Sequence, residues 1–327
     1  TNPPIDPLRE QIVMSLECCL GAERSIFEET PERASRLLVD SPVLSEGKFH
    51  ELLAIKDPAY AHEIIDLNYD PTIGLKAAVE AVCERAVAAV RSGTVVLVLS
   101  DRQIAEGKLP IHALLATGAV QNRLVAEGLR CDANIVVETA TARDSHQFAC
   151  LIGYGASCVY PYLAYASLYE MRRTGEIPGE KAEADLARAF RKGINKGLYK
   201  IMSKMGISTI ASYRGAQLFE IVGLADEVVE LCFEGTTSRI GGATFSDLED
   251  DTRRLAKTAW NRRKLPEQGG LLKFVHGGEY HAYNPDVIGT LHEAVRSGKY
   301  ADYKAFASLV NQRPVATLRD LFSFSDK

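Results

Sequence analysis

The sequence has no long hydrophobic run and no excess of basic residues. None of its apolar stretches approaches the roughly 18 residues that a membrane-spanning helix needs. Its 327 residues include 43 acidic and 38 basic side chains, which gives a formal net charge of -5. Binding to nucleic acid depends on a basic surface that neutralises phosphates. The composition therefore predicts neither a membrane protein nor a nucleic-acid-binding protein.

Secretion signals are also missing. The N-terminal segment TNPPIDPLRE has neither the charged region nor the apolar core of a signal peptide. It lacks an initiator Met as well, which suggests an excised or processed chain. The seven cysteines are odd in number and show no disulfide framework spacing, so we expect reduced thiols and a cytoplasmic location.

Cofactor and metal motifs are not found either. Neither the GxGxxG pattern of dinucleotide sites nor the GxxxxGK[ST] pattern of phosphate loops occurs. The residues compared with zinc and iron–sulfur spacings are His276, His281, His292, Cys18, Cys19, Cys131, Cys150 and Cys158. Their spacings match neither kind of site. We predict no catalytic, cofactor-binding or metal-binding residue in this chain.

What the sequence does contain is a repeated strand–helix pattern. Continuous Val- and Ile-rich runs predict strands buried on both faces, at residues 64–67, 94–100, 134–139, 158–161, 207–212 and 227–232. Helices are predicted at residues 6–20, 71–91, 111–127, 144–151, 180–204, 216–222, 285–297 and 300–309. Six β–α units indicate an α/β fold. They fit either an open doubly wound sheet or a β/α barrel short of the usual eight strands.

Four regions follow from this pattern. We predict a helical lead-in at 1–62, a β/α barrel-like domain at 63–263, a helical extension at 264–313 and a linker at 314–327. The segment at 265–283 is a loop rich in Gly, His and Tyr. Gly193 and Gly197, four residues apart, favour a close approach between helices.

Polar side chains follow the predicted strands. If the sheet closes, they would form a ring on one face, as active sites do in barrels. The ring would contain Ser100, Asp101, Arg102, Glu138, Arg143, His146, Tyr162, Tyr213, Arg214, Gln217, Thr236, Thr237 and Arg239. The alternative is that the same residues cap helices, line loops and form ion pairs.

Two smaller patterns favour structural explanations. Asp144, Ser145 and His146 are adjacent at a helix start, where Asp144 is better explained as an N-cap than as part of a triad. Gly241 and Gly242 could cradle a phosphate. The favoured explanation is a plain loop before a helix capped by Ser246.

Long motifs give the sequence a family resemblance. They are TNPPIDPLREQIVMSLECCLG, HQFACLIGYGASCVYPYLA, KGLYKIMSKMGISTIASYRGAQLFEIVGL, TTSRIGGA, YHAYNPDVIGTLHEAV and LVNQRPVATLRDLF. These stretches cover nearly the whole chain, and they resemble the central domain of the glutamate synthase large chain. The resemblance implies a rudimentary version of a flavin-binding barrel, that is, a truncated TIM-like β/α barrel of about six parallel strands.

The resemblance also implies a larger enzyme around this chain. In that family an amidotransferase domain releases ammonia from glutamine, and a barrel with FMN and an iron–sulfur cluster forms L-glutamate with 2-oxoglutarate. These two domains would be the partners of this one, with the 314–327 linker leading to the FMN domain. A small electron-donating subunit would be a further partner. The donor itself, NADPH, NADH or ferredoxin, is left open.

Two hypotheses result. In the first, the chain is a non-catalytic connecting domain that also helps to wall the ammonia route. Its interface or tunnel-facing residues would be Asp101, Arg102, Glu138, Arg143, His146, Tyr162, Tyr213, Arg214, Gln217 and Arg239. In the second, it is a residual barrel that still binds flavin or phosphate near Arg214 and Gly241–Gly242.

Overall fold

The computed structural model describes residues 4–5, 10–25, 27–179, 182–261 and 269–325. The chain divides into two compact units, Thr1–Lys257 and Thr258–Lys327. No helix among the described residues is both long and apolar enough to cross a bilayer.

Helices and strands alternate along most of the chain. The helices are α1 (Glu10–Val13), α2 (Glu46–Ala54), α3 (Leu75–Arg91), α4 (Ala113–Ala126), α5 (Ser145–Gly153), α6 (Tyr162–Arg173), α7 (Glu183–Met205), α8 (Ile210–Tyr213), α9 (Asp226–Cys232), α10 (Phe245–Ala259), α11 (Pro285–Ser297) and α12 (Tyr300–Asn311). The strands are β1 (Cys18–Leu20), β2 (Leu37–Val39), β3 (His62–Asp66), β4 (Asn68–Tyr69), β5 (Val96–Ser100), β6 (Leu109–Pro110), β7 (Asn134–Glu138), β8 (Ala156–Tyr160), β9 (Glu220–Leu224) and β10 (Thr237–Ala243).

A parallel sheet of order β3-β5-β7-β8 forms the centre of the first unit. Every residue of β5, β7 and β8 is buried. Because successive side chains point to opposite faces, both faces of these strands must be covered. At the β8 edge, Val43 adds an isolated parallel bridge to Val159. The predicted α/β class is confirmed, and within the described residues the sheet is open, as a truncated barrel would be.

The first four predicted strands are confirmed, but the last two were wrong. Residues 207–212 lead into the short helix α8, whose Ile210 and Tyr213 are buried one turn apart. Residues 227–232 lie in α9, where Val228 and Cys232, spaced by four, face the core. The predicted helix at 216–222 gives way to β9, which pairs in parallel with β10 as a separate two-stranded sheet.

The lead-in is less helical than predicted. Residues 6–9 of the predicted first helix lie outside the described residues, and the helix that is described ends at Val13. The last three residues of the predicted helix instead form β1, which pairs antiparallel with β2. Helix α6 was not predicted at all. The predicted helices that correspond to α3, α4, α5, α7, α11 and α12 are confirmed within a few residues at each end.

The second unit contains α11 and α12. Asn284 caps α11 by accepting hydrogen bonds from the amides of Asp286 and Val287, both at 3.0 Å. Pro285 follows at the first helical position, where its missing N–H costs nothing. Among residues 269–283 the structure contains neither helix nor strand, in agreement with the predicted loop.

Candidate functional site

The carboxyl end of the central sheet brings together four of the ten predicted site residues. Asp101 directly follows β5, and Arg102 comes next. Glu138 is the last residue of β7, and Tyr162 begins α6 after β8. In parallel α/β sheets this edge is where ligands and catalytic groups collect, so its chemistry decides what the domain can do.

Asp101 is 3% exposed, and both of its carboxylate oxygens are occupied. The hydroxyl of Thr139 donates to Oδ2 at 2.5 Å. The amide of Ala140 donates to Oδ1 at 3.0 Å and to Oδ2 at 3.2 Å. A buried carboxylate needs such donors, because an unpaired buried charge is very costly. Asp101 therefore fixes the turn that follows β7.

Glu138 is held in the same way. The hydroxyl of Ser100 donates to its Oε2 at 2.7 Å, and Nη1 of Arg102 lies 3.4 Å from Oε1. The guanidinium of Arg102 also lies 4.8 Å from the ring centroid of Tyr162, a cation–π contact. Burial raises the pKa of Tyr162, and the negative charge of Asp101 raises it further. The phenol is therefore protonated at neutral pH.

These contacts define what the edge of the sheet can do chemically. Each of the two carboxylates accepts hydrogen bonds on both of its oxygens from groups of its own domain. Within the described residues, no group of three or more His, Cys, Asp and Glu side chains has the geometry to hold a metal ion. The arrangement is that of a structural network joining β5, β7 and α6.

Two further predicted residues lie near the start of α5. Arg143 and His146 are both exposed. Asp144 forms a capping box with Gln147, whose amide donates to Oδ1 of Asp144 at 2.9 Å. The prediction of an N-cap is confirmed. His146 has its Nε2 3.6 Å from the Sγ of Cys150.

The remaining predicted residues lie apart from this group. Arg214 donates from Nη1 to the hydroxyl of Ser157 at 3.1 Å. Since Ser157 is the second residue of β8, Arg214 lies at the amino end of the sheet. Tyr213 is buried in α8, and burial raises its pKa to about 12. Arg239 is exposed on β10.

The predicted ring on one face is therefore wrong, because the strand that was expected to deliver Tyr213 and Arg214 does not form. Gln217 is exposed in the segment that precedes β9, with a φ of 53°. Gly241 and Gly242 form neither the plain loop that was favoured nor a phosphate loop, because both lie inside β10. Helix α10 follows β10. Its N-cap is Thr244, whose hydroxyl accepts from the backbone amide of Asp247, and not Ser246 as predicted.

Sequence reasoning missed two residues that matter here. Thr139 supplies the hydroxyl that holds Asp101, and a Thr that ends an apolar strand was a usable signal. Arg130 joins helix α4 to the turns before β7 and β8 at the amino end of the sheet, through hydrogen bonds to Gln121, Ala133 and Gly155. It follows a predicted helix in a polar turn, where nothing in the sequence distinguishes it from other basic surface residues.

A family comparison identifies the domain. The family model described as the glutamate synthase central domain matches residues 1–225. The chain belongs to this family. The resemblance inferred from the motifs is thereby confirmed.

Curated relatives agree with this assignment. The chain is 42% identical to the chloroplastic ferredoxin-dependent glutamate synthase of Spinacia oleracea, over 99% of this chain and 21% of that protein. It is 37% identical to the glutamate synthase [NADPH] large chain of Bacillus subtilis, over the same shares. The chain thus spans about a fifth of the length of these relatives.

Among solved structures, the flavin-binding domain of baker's yeast flavocytochrome b2 is 16% identical to this chain, with a TM-score of 0.33. The matched region covers 62% of this chain and 47% of the flavocytochrome b2 domain. A similarity of this size carries no argument about the site.

Proposed function

We propose that this chain is the connecting domain of a glutamate synthase large chain and performs no chemistry itself. In this proposal it joins an amidotransferase domain to an FMN-binding domain with an iron–sulfur cluster, and helps to wall the ammonia route between them. The whole enzyme would form L-glutamate from L-glutamine and 2-oxoglutarate. The proposal rests on the family and on the fifth of each relative's length that the chain spans.

One observation carries the non-catalytic role: the carboxylates at the carboxyl end of the sheet bind their own domain. Asp101 accepts hydrogen bonds from Thr139 and Ala140. Glu138 accepts from Ser100 and Arg102. In a working barrel these positions would face the ligand. Here the same groups tie neighbouring strands together, which suits a rigid spacer.

The exposed members of the predicted site are the ones best placed to face other domains. Arg143, His146, Gln217 and Arg239 all reach solvent from the first unit. Arg102 is exposed too, but it pairs with Glu138 in the network at the sheet edge. Exposed charged groups at an interface fix its register and orientation. We propose these four as interface or tunnel-facing residues. Asp101, Glu138 and Tyr213 would support that surface from within.

Thermal unfolding of this chain with and without FMN tests the non-catalytic role. A ligand that binds only the native state raises stability in proportion to the logarithm of its concentration. We expect FMN to raise Tm no more than the same concentration of inorganic phosphate does. A saturable rise together with a flavin that copurifies in stoichiometric amount would refute the proposal and support the residual flavin barrel.

The connecting role is tested in the full-length enzyme. Arg143→Ala and Arg239→Ala should lower the amount of glutamate formed per glutamine hydrolysed, because ammonia escapes when domains fit poorly. Arg188→Ala is the matched control, since the Arg188 side chain is 72% exposed on α7 and pairs with Asp185 one turn away. Equal coupling in all three variants would remove Arg143 and Arg239 from the interface.

A further inference from the structure

A polar cavity lies at the amino end of the central sheet, opposite the edge described above. Its volume is about 400 Å³. Two arginines line it: Arg130 from the turn before β7, and Arg214 from the end of α8. Ser212 and Glu23 line it as well. The cavity thus combines two guanidinium groups with a hydroxyl in one recess.

Arg130 is held rigidly at this cavity. Its Nη1 donates to the carbonyl of Ala133 at 2.6 Å, and its Nη2 donates to the carbonyl of Gly155 at 3.0 Å. Its Nε donates to the side-chain oxygen of Gln121. A guanidinium has five N–H donors, so these three bonds fix the plane of the group while donors remain on both terminal nitrogens.

Arg214 lies close to the same wall. Its Nη1 bonds the hydroxyl of Ser157, and Ser157 lies two residues beyond Gly155, which Arg130 bonds. Two residues of extended chain span roughly 7 Å. The two arginines are therefore anchored to neighbouring points at the start of β8, within reach of a single small group between them.

Neither arginine forms an ion pair with a carboxylate among the described residues. The nearby carboxylate of Glu23 is paired with Arg36, with Oε1 at 3.4 Å from Nη2. Burial and the positive charge of Arg214 together lower the pKa of Arg130 to about 10, and the negative charge of Glu23 only partly opposes them. Two partly buried like charges that form no ion pair within the described residues are unfavourable, and an anion between them would relieve both.

We propose that this cavity binds a small oxyanion, a phosphate or carboxylate group, between the guanidinium groups of Arg130 and Arg214. The planar fork of an arginine matches the paired oxygens of both anion classes. This site lies at the edge of the sheet opposite Asp101 and Glu138, and it does not rest on the connecting role proposed above.

Titration calorimetry with sodium phosphate at constant ionic strength tests the site, with sodium acetate as a second probe. We expect one saturable site for at least one probe. Arg214→Gln should weaken it about tenfold or more, because charge-assisted hydrogen bonds are lost. Arg239→Gln is the matched control: it removes an exposed arginine outside the cavity and should leave the affinity unchanged. Binding of phosphate, acetate or both supports the site and identifies the anion class.

A second measurement keeps the test decisive if Arg214→Gln does not fold. Phenylglyoxal modifies accessible guanidinium groups, and peptide mass spectrometry gives the rate at each arginine of the wild-type chain. Phosphate or acetate should slow modification of Arg214 and leave Arg239 unaffected. No saturable binding of either anion, or equal slowing at Arg214 and Arg239, would overturn the proposal.

Discussion

The carboxylate of Glu249 on α10 caps the first turn of α3: the backbone amide of Leu75 donates to its Oε2 at 2.5 Å. The residue at the usual capping position is Gly74, which has no side chain to accept a hydrogen bond. Glu249 also accepts from the hydroxyl of Tyr69 at 3.1 Å. A residue 174 positions away thus does what a local Ser or Asp normally does.

Glu249→Ala should lower the free energy of unfolding by about 2 kcal/mol, because it removes a helix cap and leaves the Tyr69 hydroxyl without its partner. Urea denaturation at neutral pH measures the change. Asp251→Ala is the control, since Asp251 lies on the same helix with a side chain that is 64% exposed. It should change stability by less than about 0.5 kcal/mol. Equal losses in both variants would show that the cap contributes nothing specific.

Asp101→Asn tests the network at the carboxyl end of the sheet. The amide keeps the shape of the side chain but turns one acceptor into a donor, which then faces the hydroxyl of Thr139 or the amide of Ala140. We expect a loss of about 2 kcal/mol in the free energy of unfolding. The exposed Asp132 serves as the control: Asp132→Asn should have little effect in the same urea titration. An unchanged midpoint for Asp101→Asn would contradict the structural role.

The central sheet could be predicted because its signal is local. Buried parallel strands read as continuous apolar runs, and β5 and β7 show this clearly. The run in α9 also looks apolar, but its buried residues, Val228 and Cys232, are four apart. Helical spacing should have been preferred to strand composition there. Acidic Asp226 and Glu227 in the first turn were a second helix signal.

Pairing between segments that are distant in the sequence is the part of the fold that could not be predicted. β9 becomes a strand because β10 pairs with it, and the segment before α8 is held by a bridge from Ser15 to Thr209. Neither partner is visible in a local window. The candidate site shows both cases. Asp101, Arg102, Glu138 and Tyr162 could be grouped because each lies at the end of a strand or just after it. Arg214 could not be placed once its strand was misassigned.

Gly118→Ala and Gly193→Ala should change stability in opposite directions, although both lie in helix interiors. A Cβ at Gly118 of α4 would lie 2.0 Å from the carbonyl oxygen of Cys232, so α4 and α9 would have to separate. We expect a loss of about 1–3 kcal/mol, as for other overpacked sites. At Gly193 of α7, no described atom beyond the neighbouring residues and backbone of its own helix lies within 4 Å of the added carbon. Alanine there should stabilise the helix by about 0.5–1 kcal/mol.

Thermal and urea unfolding of the two glycine variants show directly whether each substitution raises or lowers the free energy of unfolding. The comparison also bears on α7, because Gly193 and Gly197 were both predicted to allow another helix to approach closely. A Cβ at Gly197 would lie 2.4 Å from the Cβ of Ser145, so the expectation holds there. It was wrong for Gly193, which meets open space. A destabilised Gly193→Ala would show that this surface is covered in solution.

Buried thiols should make the fold sensitive to alkaline pH. Burial raises the pKa of Cys83 to about 12, and that of Cys232 also to about 12. In the unfolded chain a cysteine ionises near roughly pH 8.5. Above that pH the unfolded state releases protons that the folded state retains, so the free energy of unfolding falls as pH rises. The contribution is fully present below the unfolded pKa and is lost progressively toward the folded one.

Cys83→Ala should therefore flatten the decline in stability between about pH 9 and pH 10.5, by up to roughly 1.4 kcal/mol per pH unit. Urea denaturation under reducing conditions at a series of pH values measures the slope. Val87→Ala is the matched control, because Val87 is buried on the same helix and does not titrate. It should lower stability equally at every pH, since it removes packing and no proton. If Cys83→Ala kept the wild-type slope, ionisation of this thiol would not be linked to unfolding.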